Sequence, residues 1–217
     1  MLQGLLALGL TSLLSACSNQ PPKTIFSASG FITDGGVTRL WRLNDQNSKP
    51  QVIMSVYSPY QHKNTTITFY EYRQGNLWQV RRSVLSDQPV EETLRLDREA
   101  DLIFMQRQLP DRREPLSNDE IISLQLDAEQ VKETSDALIA RKVELVQGYW
   151  QNGAVVTCAG KAILNKFEPY AQRWLEKRGR NSDRKLSIAW LESPEKRQLL
   201  LVANDDFCSW EPTKDQL

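Results

Sequence analysis

At 217 residues, with 27 Lys and Arg against 27 Asp and Glu and one histidine, the chain is long enough for one domain or two small ones and carries no net charge. Balanced charge excludes a dedicated polyanion binder, whose affinity rests on clustered cations that neutralise phosphates, so no nucleic acid partner is expected. A lone histidine excludes a multi-histidine zinc site and a paired-histidine mechanism.

The chain opens on an uncharged apolar run, Met1 to Ala16, that ends in Leu14-Ser15-Ala16-Cys17. This looks like a bacterial lipoprotein signal peptide spanning 1–16. The Leu-rich stretch is shorter than the roughly 20 residues of a transmembrane helix, and small residues precede the cut. In this reading Cys17 becomes the N-terminus, its sulfur takes a diacylglycerol, and its amine takes a third acyl chain such as palmitate. Two or three chains anchor stably where one does not. Residues 17–23, with Pro21 and Pro22, form a tether. Ser18 in place of Asp implies sorting to the outer membrane, with the domain facing the periplasm. Met1-Leu2-Gln3 lacks the positive charge such signals carry, and the expectation is that the true start lies upstream.

Residues 24–217 are expected to form one α+β domain. Its first half, 24–109, alternates with period two between turn residues and reads as an antiparallel β meander. Val37, Trp41 and Leu43 share a face around Arg39, after an Asp34-Gly35-Gly36 turn expected to use positive φ angles. Val52, Met54 and Val56 make the next face. Thr66 to Tyr72 turns through Gln74-Gly75-Asn76 into Leu77 to Leu85, with Trp78, Val80 and Val84 on one side. Strands at Val90 to Leu96 and Leu102 to Gln108 complete the run.

The second half, 117–210, holds a helix and stapled hairpins. Ser117 and Glu120 have capping-box spacing, and Ile121, Leu124, Ala128, Val131 and Leu138 continue as the face of a long amphipathic helix over 118–139, with Ser135 the weak point of the stripe. Lys142 to Trp150 and Ala154 to Cys158 form a hairpin turning at Asn152-Gly153. Pro169 to Lys177 is a short second helix ended by Gly179. Leu186, Ile188 and Trp190 alternate on a strand, Ser193-Pro194-Glu195 turns, and Gln198 to Ala203 returns as a nearly continuous apolar strand expected at the centre of its sheet.

Export would place Cys158 and Cys208 in an oxidising compartment, where such a pair is usually joined. The bond would stabilise the fold by roughly 4 kcal/mol in the chain-entropy model and bring the Cα atoms to about 5.5 Å. The alternative is two separate buried thiols.

Catalytic candidates are few. His62 follows Pro59 in a loop between strands and reads as an exposed imidazole. Glu91-Glu92 and Asp205-Asp206 are the carboxylate pairs, but strand neighbours point to opposite faces and Asn204-Asp205-Asp206 reads first as a turn. Arg173 to Lys185 holds six basic residues against Glu176 and Asp183, suited to lipid phosphates or, more simply, to a solvated helix C-terminus. Gly148-Tyr149-Trp150 matches the Gly-x-Trp string of lipocalins far from where that family carries it. No phosphate loop, zinc spacing, HExxH or GxSxG motif occurs, and no cofactor, metal or catalytic residue is expected.

Taken together, the Leu14 to Cys17 signal, Ser29-Gly30-Phe31, Val37-Thr38-Arg39-Leu40-Trp41-Arg42, Cys158 and Cys208 resemble the YjaH-like family of uncharacterised γ-proteobacterial lipoproteins over nearly the whole mature chain. The resemblance implies a cell-envelope lipoprotein and carries over no catalytic residue. It leaves two expected roles. One is a non-enzymatic protein that binds an envelope partner or supports envelope assembly. The other is a lipocalin-like carrier whose pocket, lined by Trp41, Phe69 and Trp78, holds a small apolar ligand.

Overall fold

The computed structural model describes residues 25–61, 64–151, 153–163, 167–182, 185–209 and 211–217. The leader with Cys17, the tether, His62 and Asn152 lie outside the described residues.

Eight antiparallel strands come first: β1 (Phe26–Thr33), β2 (Gly36–Asn44), β3 (Pro50–Pro59), β4 (Thr65–Arg73), β5 (Asn76–Leu85), β6 (Val90–Leu96), β7 (Leu102–Gln108) and β8 (Arg113–Glu114). Each lies beside its neighbour in sequence, so the first sheet is an open meander whose end strands β1 and β8 are not paired with each other. Helix α1 (Asn118–Ala140) comes next. A second sheet contains β9 (Glu144–Gln151), β10 (Ala154–Thr157), β11 (Ala162–Ile163), β12 (Leu186–Glu192) and β13 (Arg197–Ala203), in the order β11-β10-β9-β12-β13, with α2 (Pro169–Arg180) between β11 and β12 in sequence. The fold is α+β, mainly antiparallel, with one long and one short helix.

Three apolar clusters stack these elements into four layers. Leu40, Ile53, Tyr70, Val80 and Leu94 on one face of the first sheet meet Ile121, Leu124 and Ala128 of α1. Val37, Trp41, Met54 and Val56 on its other face meet Leu145, Ala189, Leu191 and Leu200 of the second sheet, with Phe207. The far face of the second sheet, through Trp150, Leu186, Ile188 and Trp190, packs on Leu175 of α2 and on Phe167. The order is therefore α1, first sheet, second sheet, α2. Although sequence groups α1 with the C-terminal hairpins, it covers the meander.

Double coverage explains where period-two reasoning falls short. β2 is buried along nearly its whole length because α1 lies on one side and the second sheet on the other. β13, expected at the centre, is instead the edge of its sheet. Its continuous apolar run arises because Leu200 faces the inter-sheet cluster while Leu199 and Val202 face the α2 cluster. An apolar run reports burial of both faces and says nothing about lateral neighbours.

Three local expectations also change. At the β1–β2 turn the positive φ angles expected at Asp34-Gly35-Gly36 do not occur. Gly36 is required by space instead, since a Cβ there would sit 2.5 Å from the Ser58 carbonyl oxygen of β3. Trp78 leaves the face expected to hold it beside Val80, because an irregularity at Glu71/Tyr72 shifts the β4–β5 register and brings Leu77 to the α1 cluster. The Trp78 ring lies 3.5 Å beneath the Arg73 guanidinium. Helix α2 continues through Gly179 to Arg180. That glycine permits close packing, as a Cβ would lie 3.3 Å from Trp150 Nε1.

Candidate functional site

The most deeply buried charge lies in the seam between the sheets. Arg39 of β2 is 2% exposed. Its Nη1 donates to Gln147 Oε1 of β9 at 2.9 Å, and its guanidinium stands 4.6 Å from the Phe207 ring centre. Gln147 Nε2 in turn donates to the Phe207 carbonyl at 3.4 Å and to Glu211 Oε2 at 3.1 Å. Burial pulls the Arg39 pKa down to about 10 against the opposing pull of Asp205 and Glu211, so it stays charged at neutral pH. The C-terminal segment is also held covalently: Cys158 and Cys208 form a disulfide with Cα atoms 5.2 Å apart, and the Cys158 N–H donates to the Gln147 carbonyl. These contacts lock the last residues across the seam.

The carboxylate pairs do not converge as catalytic dyads. Asp206 Oδ1 accepts from Tyr149 Oη at 2.5 Å and from the Cys208 and Ser209 N–H groups at 3.0 and 3.1 Å, while Asp205 Oδ1 accepts from the Asp206 N–H. The Tyr149 hydroxyl, then the two N–H groups, hold the Asp206 carboxyl below its ordinary range. The same bond raises Tyr149 to about 12. The pair shapes the turn that presents Cys208. On β6, Glu91 is exposed, and Glu92 turns under α1 to Arg107 at 2.8 Å and Arg82 at 3.8 Å. Among the described residues no three His, Cys, Asp or Glu side chains are grouped as a metal ion requires.

The expected pocket trio is split. Trp41 and Phe69 belong to the inter-sheet cluster, with Trp41 1% exposed, and Trp78 stands apart under Arg73. Of the basic segment, Arg173, Lys177, Arg178 and Arg180 lie exposed on α2, Lys185 stands 5.6 Å from the Tyr149 ring centre, and Arg184 lies outside the described residues.

A feature that sequence reasoning missed lies on β7. Its inner edge pairs with β6 from Leu102 to Gln108, but β8 pairs only with Arg107 and Gln108. Among the described residues no strand covers the outer edge of Leu102-Ile103-Phe104-Met105-Gln106, and Leu102, Ile103 and Phe104 are 41%, 62% and 38% exposed. No charge or proline interrupts these five residues, the devices that usually blunt an open edge. The available signal is the short segment after β7, where Pro110 and Pro115 leave room for no more than a token eighth strand.

The site so defined is an open apolar strand edge on a four-layer α+β domain. The family described as "Protein of unknown function (DUF1481)" matches residues 28–213. The chain is 38% identical over 204 residues to "Uncharacterized protein YjaH" of Escherichia coli (strain K12), covering 93% of this chain and 87% of that protein. The chain belongs to this YjaH-like DUF1481 family. No solved structure matches it.

Proposed function

We propose that the protein is an outer-membrane lipoprotein, anchored through Cys17 with its domain in the periplasm, and that the domain is non-catalytic and binds a protein partner in envelope assembly. The observation that carries the binding role is the β7 edge. Its outer edge, which no strand among the described residues covers from Leu102 to Gln106, and its exposed Leu102, Ile103 and Phe104 suit an extended partner segment that adds as a strand, backbone bonds giving affinity and side chains giving specificity. The Cys158–Cys208 disulfide supports residence in an oxidising compartment. A carrier of small apolar ligands has less support, because Trp41 is packed in the core and Trp78 is elsewhere.

A photoreactive residue at Ile103 in intact cells should crosslink one protein of defined mass. Ile103→Lys should remove the complex and leave the unfolding transition unchanged. Crosslinking at Ile103 no stronger than at Asp87, an exposed position between β5 and β6, defeats the β7 assignment. The anchor is tested separately: Cys17→Ala should abolish palmitate labelling and leave an unprocessed precursor, and labelled mutant protein would refute it.

A further inference from the structure

Helix α2 turns Leu175 and Gly179 toward the second sheet, which sends the opposite side outward. With 3.6 residues per turn, positions 170, 173, 174, 177, 178 and 181 lie along that outer side. Tyr170 is 74% and Trp174 40% exposed, and Arg173, Lys177 and Arg178 are exposed beside them. No acidic residue occupies the stripe, and Glu176 stands on its flank, accepting a hydrogen bond from Gln172 at 3.1 Å. At its end the stripe opens into a cleft of about 280 Å³ lined by Trp174, Lys177, Arg178, Asn181, Ser182 and Asn204.

The negative end of the helix dipole accounts for Lys177, Arg178 and Arg180 in the last turn. It does not account for two large exposed rings on the same face, Tyr170 and Trp174, the latter with the Arg178 guanidinium 5.8 Å from its centre. Aromatic rings with an apolar body and a polar tip, interleaved with cations, match the boundary of a membrane, where phosphates take the cations and the headgroup layer takes the rings. From this charge complementarity and ring exposure we infer that the outer side of α2 docks on an anionic lipid surface, with Arg173, Lys177 and Arg178 on headgroup phosphates and Tyr170 and Trp174 at the interface. The contact is independent of the acyl anchor and of β7.

The chain from Ser18 onward keeps every described element and all three core clusters and carries no acyl group when made without the leader. It should sediment with phosphatidylglycerol-containing vesicles at low salt, at least about tenfold more strongly than with phosphatidylcholine alone, and be released by high salt. Lys177→Glu with Arg178→Glu should remove this binding. Arg98→Glu with Arg113→Glu, an equal change of net charge elsewhere, should leave most of it. Binding should shift tryptophan emission to the blue, and Trp174→Phe should abolish that shift. Equal binding to neutral vesicles, equal loss in both charge-reversal pairs, or an unchanged Lys177/Arg178 variant overturns the inference. So does binding of inorganic phosphate without vesicle binding, which would make the cleft a site for a soluble ligand.

Discussion

Arg39 is a long cation placed among Val37, Trp41 and Leu43 on a face that becomes interior. A buried charge costs several kcal/mol in desolvation, and removing its partner costs more than replacing both members by apolar groups. Arg39→Met alone should therefore lower stability by about 2 kcal/mol, since the neutral Gln147 Oε1 loses its donor. Adding Gln147→Leu should recover much of that loss, as a urea-unfolding double-mutant cycle would show. Strict additivity of the two changes would contradict this account. Nothing in local sequence pairs Arg39 with Gln147, because they meet across two sheets.

At the scale of elements, α1 shows how a helix is seated by charge as well as by its apolar stripe. Arg42, 4% exposed, donates to Asn44 Oδ1 at 2.7 Å, to Asp136 Oδ1 at 2.5 Å and to Ser135 Oγ at 3.4 Å. Ser135, the apparent flaw in the stripe, is therefore where the helix meets a cation of β2. At the other end Ser117 and Glu120 form the capping box, and Arg107 joins Glu120 to Glu92 and Glu114. Arg107, then Ser117, draw the Glu120 pKa from 4.5 down to about 2. A carboxyl with a depressed folded pKa contributes stability above its unfolded value and loses it as the unfolded chain takes up the proton first. Stability should thus fall as pH drops from about 4.5 toward about 2, and Glu120→Gln should flatten the curve in that window. An unchanged slope in chemical unfolding across that range would show the pair to be energetically idle. The capping box was legible from spacing, whereas Arg107 was not, since its partners come from separate segments.

For the whole molecule, the disulfide and the seam act together. The bond closes a separation of 50 residues that contains β11, α2, β12 and β13, so breaking it frees the chain that lays Phe207 and Glu211 on Gln147. Cys158→Ser with Cys208→Ser should cost roughly 4 kcal/mol by the entropic account. For a domain of this size that lowers the thermal midpoint by about 10 °C. Amide exchange should accelerate first in residues 204–217, while the α1 side of the first sheet keeps its protection. Uniform acceleration across both sheets would contradict the layered picture.

The sequence by itself determined what depends on short separations: the meander's strands and turns, the Ser117 cap, the periodicity of both helices, and the cysteines available to pair. These come from side-chain period, capping chemistry and turn residues, all of which act within a few positions. Tertiary structure alone decided which strand faces are covered twice, that β13 lies at an edge, that Trp78 is excluded from the core, that Arg39 finds Gln147, and that β7 is left open. The burial pattern, the edge position of β13 and the Arg39 partner depend on neighbours supplied by distant segments, while Trp78 and β7 depend on the register or length of the strand beside them. An apolar residue records that it is buried or should be, but it does not record what covers it, so the run at Leu102 to Phe104 reads by itself as an interior strand, and only Pro110 and Pro115 beyond it signal that β8 stops at Glu114 and leaves it exposed.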